Sequence, residues 1–527
     1  MSGRFRSYAR RPPSFDSGVV EEPLLLFGGR KEHVDPKTGL SLFGPYSLSG
    51  QNKPTLSSIT VGIIGPGNMV ADAQQWLNAV KGLLTNDGSQ PYLYPHFPGF
   101  NSDLPFQCDF VHGDTWNESL KSSDLTHALE PINMTERINR VVDLYIKAVE
   151  TLSQREPKPT VILLCLPQNV VDACTTKITG PIGRRISVKR PTKPTRQNNF
   201  RDGDQLSIFS LLGEDVGEDL GDSWEYENLR RGLKAEAMRF GIPTQIVWPR
   251  AIELVTQIGG RGTKKAQDVA TRAWNFTTAL YHKAGGSPWR LAKLEPGVCY
   301  VGISFYRESG AKGSQLRTSM AQAFTSAGDG YVLRGNPIPW NEDTQGRSPH
   351  MDKKSAAALL NDVLELYKKQ SRGSLPNRLV IHKTSRFSED EISGFDSVSE
   401  IVPRRDYVAL GWRNIQFYRT GMYPPLRGTY VKFSDSNLLL YTSGYVPFLK
   451  TYPSIRVPQP VEILEHHGDS PWNIILEEVL ALTKMNWNTS DFSNAKPITL
   501  AFSQKVGRIL AELPPNVQPR PEYRFYM

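Results

Sequence analysis

The sequence predicts an α/β protein, because buried-strand patterns and amphipathic-helix patterns alternate along most of the chain. Apolar runs of strand length occur at 58–65 and 160–166, and apolar residues with helical spacing occur at 71–84 and 138–152. The chain has 527 residues, which exceeds what one hydrophobic core supports, so we expect two domains or more.

Composition and net charge indicate which class of binding partner the protein has. The chain is 39% hydrophobic and carries a formal net charge of +9, as expected of a folded protein whose field attracts polyanions. No apolar run approaches the roughly 20 residues that span a bilayer, so nucleic acid is favoured over a membrane. The four cysteines lack CxxC spacing, which indicates reduced thiols and a cytoplasmic location.

The N-terminus is rich in arginine and has no apolar segment of the kind found in secretory signals. We therefore predict a basic flexible tail over residues 1–22. A solubilising terminus and a nucleic-acid-binding arm both remain open for it.

Stop signals divide the remaining chain. A helix pattern at 225–240 ends at Gly241, and another at 266–284 ends at the Gly285–Gly286 pair. We place a domain boundary after it, giving domains at 23–286 and 287–527. The second domain is strand-rich, with strand patterns at 298–306, 330–334, 378–387, 408–418, 429–434, 438–445 and 461–465, and helix patterns at 354–370, 471–484 and 499–513.

Three local features give weak signals. The Gly65–Asn68 turn between a strand and a helix could cradle a phosphate, but Val70 stands where a dinucleotide fingerprint needs glycine. A plain turn is favoured, and a nucleotide-binding enzyme remains an alternative. The basic stretch at 180–204 predicts a solvated loop. His466 and His467 would face opposite sides of a strand, so we expect surface residues rather than a metal site.

Eight stretches of the second half carry a more specific signal: PWRLAKLEPGVCYVGISFYR, QAFTSAGDGYVLRG, RLVIHKTSRF, PLRGTYVKF, LYTSGYVPFLKTY, VPQPVEI, LTKMNWN and PITLAFSQKVGRIL. In order and spacing they resemble the PIWI domain of Argonautes, over about residues 287–527. HVDPKTGLSLFGPY and IPTQ in the first half resemble the MID half of short prokaryotic Argonautes, which lack the N-terminal and PAZ domains. The resemblance implies a Rossmann-like MID domain followed by an RNase H-like PIWI domain.

The resemblance also implies that the nuclease site is degenerate. RNase H-type cleavage needs carboxylates that hold two divalent metal ions. The family's acidic positions fall on Ser304, Thr384 and Gln504, none of which is a normal ligand for a hard cation. We expect no enzymatic activity and no catalytic metal, unless a shifted alignment hides ligands such as Glu308 or Asp390.

A guide-binding pocket is expected to persist. The family pocket for the guide 5′ phosphate matches Lys234 and Gln245, and Arg230 lies one helical turn before Lys234. From the residues alone, a solvated helix face is the simpler interpretation of Arg230 and Lys234. The family's last lysine falls near Gln267, so Lys264 and Lys265 are candidate substitutes. Mg²⁺ at the 5′ phosphate is the one candidate cofactor.

The resemblance implies a function. A guide RNA would direct recognition of single-stranded target DNA without cleavage and activate an associated APAZ-domain effector with a TIR, sirtuin-like or nuclease domain. The outcome would be NAD depletion or nucleic-acid degradation and abortive infection against plasmids and phage. A heterodimer with the effector is expected, and a higher oligomer on target binding remains open. The alternatives are a metal-dependent guided nuclease that slices the target and a guide-independent basic DNA binder.

Overall fold

A computed structural model describes the chain except for several segments. It covers residues 15–49, 55–86, 88, 90–103, 105–174, 226–254, 267–307, 316–323, 330–338, 348–398, 400–412, 415–417, 420–421, 424–434, 437–453, 457–513 and 517–527. The predicted basic loop at 180–204, Lys264, Lys265 and Glu308 lie outside these residues.

The long strands and helices that the sequence patterns predict in the first half are observed, and the structure adds shorter elements that those patterns did not indicate. The strands are β1 (Asp16–Val19), β2 (Leu25–Leu26), β3 (Glu32–His33), β4 (Ser58–Pro66), β5 (Asp109–Val111), β6 (Asn117–Leu120), β7 (Val161–Cys165) and β8 (Thr244–Val247). The helices are α1 (Pro36–Phe43), α2 (Gly67–Ala79), α3 (Ser122–Ala128), α4 (Met134–Ser153), α5 (Gln168–Ala173), α6 (Tyr226–Ala237), α7 (Pro249–Ile252) and α8 (Val269–Lys283).

The described elements of the second half are mostly strands. They are β9 (Arg290–Leu291), β10 (Val298–Arg307), β11 (Leu316–Ala323), β12 (Tyr331–Ile338), β13 (Arg378–Lys383), β14 (Arg404–Trp412), β15 (Thr429–Ser434), β16 (Asn437–Leu440) and β17 (Val461–Gly468). The helices are α9 (Lys353–Gln370), α10 (Glu389–Phe395), α11 (Trp472–Leu482) and α12 (Ile498–Leu510).

The first domain is built on a parallel sheet with strand order β5-β4-β7-β8, and β6 also pairs with β4. Successive residues of β4 point to opposite faces. Ile63 belongs to the same buried cluster as Trp76 of α2 and Trp274 of α8, whereas Ile64 packs with Tyr145 of α4. Helices thus cover both faces, as expected of a Rossmann-like domain.

The second domain is built on a nine-stranded mixed sheet with order β1-β15-β16-β17-β14-β13-β10-β11-β12. The central strands β10, β13 and β14 are parallel. Helices α9 and α10 pack on one face, and α12 crosses β10 and β11 on the other. Gly302 permits this crossing, because a Cβ at that position would lie 2.0 Å from the Thr499 carbonyl oxygen. The predicted α/β class is confirmed.

The predicted tail over residues 1–22 is corrected for residues 16–22. Strand β1 pairs with β15 at the edge of the second-domain sheet, with Gly18 opposite Tyr430. Glu22 then enters a buried ion-pair site, with a carboxylate oxygen 3.0 Å from Arg427 Nε and another 2.6 Å from Lys484 Nζ. The Glu22 carboxylate, paired with these two buried cations, joins this segment to the second domain.

Other local predictions are resolved by packing. The Gly65–Asn68 turn is a direct passage from β4 to α2, whose first residue is Gly67. His466 is corrected from a surface residue to a half-buried one, because its Nε2 lies 2.7 Å from Asp406 Oδ1. His467 is exposed, as expected. Within the described ranges, no helix has both the length and the apolar character to cross a membrane.

Candidate functional site

Lys234 is a buried cation on α6. Its side chain is directed at β8, because α6 packs against that strand and against α4. The residue is 2% exposed, and its Nζ donates a hydrogen bond to the carbonyl oxygen of Thr244. A buried ammonium needs such acceptors, since burial without them is costly. The Lys234 ammonium group therefore lies beside Thr244, the first residue of β8.

Gln245 and Lys283 meet directly beside this point. Lys283, fully buried in the last turn of α8, donates a hydrogen bond from Nζ to Gln245 Oε1. The Gln245 amide in turn donates from Nε2 to the Ile246 carbonyl oxygen at 3.1 Å. Because Thr244 and Gln245 are adjacent, the two ammonium groups converge on the start of β8. The arrangement concentrates positive charge at this end of β8.

Lys283 is a residue that the sequence reasoning missed. The expected position of the last pocket lysine was Gln267, with Lys264 or Lys265 as substitutes. Gln267 instead precedes the N-cap residue of α8, Asp268, so the whole helix of 15 residues, about 22 Å long, separates it from Lys283. The available signal was a lysine in the last helical turn before the Gly285–Gly286 stop.

Arg230 lies one turn before Lys234 on α6 and is partly buried. Residues four apart share a helix face, so the predicted side-by-side placement of these two cations is geometrically consistent. The neighbouring Arg231 Nη1 is 3.8 Å from a carboxylate oxygen of Glu512 in the second domain. This ion pair is one of the contacts between α6 and the second domain.

Residues of the second domain contact the first domain beside this site. Arg520 Nε donates to the Met238 carbonyl oxygen at 3.3 Å. Tyr523 packs on His282, with ring centroids 5.9 Å apart, and His282 also packs on Trp487 at 4.4 Å. The residue before Lys283 is thus held by aromatic rings of the second domain. The candidate site lies where the two domains meet.

Ser304, Thr384 and Gln504, the positions that the family resemblance assigns to acidic residues, lie on or directly after neighbouring elements of the second domain. β10 and β13 are adjacent and parallel, with Ile303 opposite Lys383, so Ser304 and Thr384 follow at neighbouring register positions. Gln504 lies on α12, which crosses β10, and its Oε1 accepts a hydrogen bond from Lys496 Nζ at 3.0 Å. These side chains carry hydroxyl and amide groups rather than carboxylates.

The residues before Thr384 are locked into structural contacts. His382 is buried, and its Nδ1 lies 2.8 Å from Thr499 Oγ1. Burial, with the charge of Arg378 as a lesser cause, lowers the pKa of His382 to about 3, so the ring is neutral near pH 7. Lys383 Nζ lies 2.6 and 2.7 Å from the two Glu391 oxygens. Burial lowers the pKa of Lys383, and Glu391 opposes that effect.

A shifted alignment would make Asp390 or Glu308 the alternative metal ligands. Asp390 is exposed in the first turn of α10, and Glu308 is outside the described chain. In the portion of the chain that is described, no group of three or more His, Cys, Asp or Glu side chains is arranged to hold a metal ion.

Comparison with known proteins identifies the fold. No family model matches the chain. The chain is 22% identical to the Argonaute of Aquifex aeolicus over 286 residues, which are 53% of this chain and 35% of that protein. The structure of Clostridium butyricum Argonaute bound to guide DNA and a 19-mer target DNA matches 95% of this chain and 54% of that one, with a TM-score of 0.61 and 16% identity.

The crystal structure of Drosophila Piwi is also similar in fold, with a TM-score of 0.52, 12% identity, and coverage of 97% of this chain and 56% of that one. The chain spans about half the length of these solved relatives and about a third of the curated one. In sequence and in fold the chain is Argonaute-like.

Proposed function

We propose that this protein holds a guide strand by its 5′ phosphate and uses it to recognise a complementary strand. The observation that carries the proposal is the convergence of Lys234, Gln245 and Lys283 at the start of β8. Ammonium groups and an amide are the groups that bind a terminal phosphate through charge-assisted hydrogen bonds. The similar Clostridium butyricum protein is bound to a guide DNA and a target DNA in its structure.

The rest of the strand would bind through its backbone. The net charge of +9 attracts phosphates, while base pairing between guide and target supplies sequence specificity. A guide RNA and a single-stranded DNA target are the proposed pair, and Mg²⁺ at the 5′ phosphate is the proposed cofactor.

The proposed recognition leaves the target uncut. Two-metal cleavage requires carboxylates, and Ser304, Thr384 and Gln504 stand at the positions that the family resemblance assigns to them. A guided, metal-dependent nuclease is the second candidate. It is favoured by the parallel, adjacent placement of β10 and β13, which is the framework that such a site uses.

A guide binder that does not cut needs another output. We propose that this MID–PIWI form acts with an APAZ-domain effector, whose TIR, sirtuin-like or nuclease domain becomes active when target DNA is bound. The target-bound state must then favour the active effector by a differential binding free energy. Loss of NAD or of nucleic acid would serve defence against plasmids and phage.

The function is tested with labelled single-stranded DNA and a 5′-phosphorylated guide RNA. We expect tight DNA binding only with a complementary guide. The bound DNA strand should remain uncut when Mg²⁺ or Mn²⁺ is present. Lys234→Ala should weaken guide loading, whereas Lys147→Ala, at an exposed position of α4, should not. Equal binding with a mismatched guide would contradict guided recognition, and a cut strand would establish the nuclease instead.

The output is tested separately by co-expression with an APAZ-domain protein. A stable complex that consumes NAD or degrades nucleic acid only with complementary target DNA supports the proposal. Absence of a complex in gel filtration contradicts the partnership while leaving guide binding intact.

A further inference from the structure

A loop of the first domain, of which the structure describes residues 84–86, 88 and 90–97, is held together by its own hydrogen bonds. Leu84 and Phe97 exchange two backbone hydrogen bonds of 2.9 Å at its base. Asn86 Nδ2 donates to the Tyr94 carbonyl oxygen at 3.0 Å, and the Asn86 backbone N–H donates to His96 Nδ1 at 2.8 Å. The tip of the loop is therefore a defined surface.

That tip exposes two aromatic rings. Tyr92 is 46% exposed and Tyr94 is 39% exposed. Lys37 fixes the loop from below, because its Nζ donates to the Leu93 carbonyl oxygen at 3.2 Å and lies 5.9 Å from the Tyr94 ring centroid. Large rings held rigidly in water are available to stack on a flat partner.

The second domain adds a ring and a cation to the same surface. The Phe448 ring lies 6.0 Å from that of Tyr92 and 5.1 Å from that of His33. Lys450 is exposed, and its Nζ is 4.9 Å from the Tyr92 ring centroid. Lys450 adopts φ 54, a left-handed conformation that disfavours non-glycine residues and recurs at binding sites.

Charged groups lie near both tyrosines of this surface. Burial raises the pKa of the Tyr94 hydroxyl, and the negative charges of Asp491 and Asp268 raise it further. The exposed Lys450 ammonium group attracts a phosphate to its side of this surface. A partner that fits has a flat, uncharged π-face joined to an anionic group, which is the chemistry of a nucleotide in a single strand.

We infer that Tyr92, Tyr94, Phe448 and Lys450 form a stacking platform for an unpaired nucleobase, with Lys450 facing the adjoining phosphate. The inference rests on the proposed function and assigns it a second contact. Helix α8 runs between the proposed platform and the proposed phosphate pocket. Its last residue, Lys283, is in the pocket, and the negative charge of its N-cap residue, Asp268, raises the pKa of Tyr94. Its length of about 22 Å equals about six stacked nucleotides.

Two double variants test the platform in the full chain. Tyr92→Leu with Tyr94→Leu removes the rings, and Tyr92→Phe with Tyr94→Phe keeps them. Phe433→Leu is the matched control, because Phe433 is 40% exposed on the second-domain sheet and its ring contacts are with Phe15 and Phe417. Binding of single-stranded RNA and DNA is measured by anisotropy, and 2-aminopurine placed at successive positions reports stacking by quenching.

We expect the leucine pair to weaken binding of both strand types by about five-fold or more and to abolish quenching at one or two positions. The phenylalanine pair and Phe433→Leu should bind like the wild type. Unchanged affinity and quenching in the leucine pair would overturn the platform, even where 5′-phosphate preference persists. If the wild type shows no preference for the 5′ phosphate but the leucine pair still weakens binding, the guide pocket is overturned and the stacking platform is supported.

Discussion

The ammonium group of Lys283 donates a hydrogen bond to the Gln245 side chain, joining the last turn of α8 to β8 across 38 residues of sequence. This contact places a second buried cation beside Lys234, whose Nζ donates to the neighbouring Thr244 carbonyl oxygen. A phosphate that reaches this point meets two positive charges held by the fold, so little side-chain entropy is lost on binding.

Lys283→Met is the most informative change in the pocket, because it removes the charge and keeps much of the side-chain volume. We expect affinity for a 5′-phosphorylated strand to fall about ten-fold to 100-fold, the range for a lost charge-assisted hydrogen bond. Affinity for the 5′-hydroxyl strand should change little. Lys283→Arg, which keeps the charge, is the control, and an equal loss for both strands would indicate a purely structural role.

Arg378→Met should destabilise the second domain strongly. Arg378 is fully buried, 2.7 Å from an Asp406 oxygen and 2.6 Å from a Glu478 oxygen, so its loss leaves two buried carboxylates without this partner. We expect the free energy of unfolding to fall by about 3–5 kcal/mol. Arg404→Met, at a 54% exposed ion pair with Glu295, should cost no more than about 1 kcal/mol. Urea denaturation compares them, and equal losses would contradict the buried network.

His382 should make stability fall in acid. Its pKa is lowered to about 3 in the folded protein, chiefly by burial. An unfolded histidine titrates near about 6.5, so between these values the unfolded state binds more protons and stability falls as the pH falls. His382→Gln should reduce this slope by up to about 1.4 kcal/mol per pH unit. Urea midpoints between about pH 7 and pH 5 measure it. An unchanged slope would contradict a neutral buried ring, and His127→Gln, at an exposed site, is the control.

Ser304→Asp combined with Thr384→Asp should create a Mn²⁺ site. The two positions follow paired residues of adjacent parallel strands, where two carboxylates can share an oxygen-preferring cation. Isothermal titration should show Mn²⁺ binding by this double variant and none by the Ser304→Asn, Thr384→Asn pair. Equal Mn²⁺ binding by the wild type would contradict the assignment of these positions as degenerate ligands.

Many of the longer strands and helices of both domains were predictable because their apolar periodicity is strong. The strand predicted at 58–65 is observed as Ser58–Pro66, and the helix predicted at 354–370 as Lys353–Gln370. Strand β1 was not predictable, because DSGV has no alternating pattern and its partner Tyr430 is more than 400 residues away along the chain. Pairing at such a distance leaves no local signal.

In the candidate site, too, some residues were assigned from the sequence and others were missed. Lys234 and Gln245 were assigned through the family resemblance. From the residues alone, Lys234 was expected on a solvated helix face, whereas it is buried in the structure. Lys283 was not found, because its contact with Gln245 depends on how α8 packs. His466 was assigned to the surface for the same reason, since its partner Asp406 lies 60 residues earlier on another strand.

The central claim is that Lys234 and Lys283 hold a guide 5′ phosphate. The most direct measurement is the ratio of dissociation constants for 5′-hydroxyl and 5′-phosphorylated guide RNA, at one fixed salt concentration. We predict a ratio of about ten or more for the wild type and a ratio near one for Lys234→Met with Lys283→Met. A ratio near one for the wild type, or a large ratio that survives in the double variant, would contradict the account.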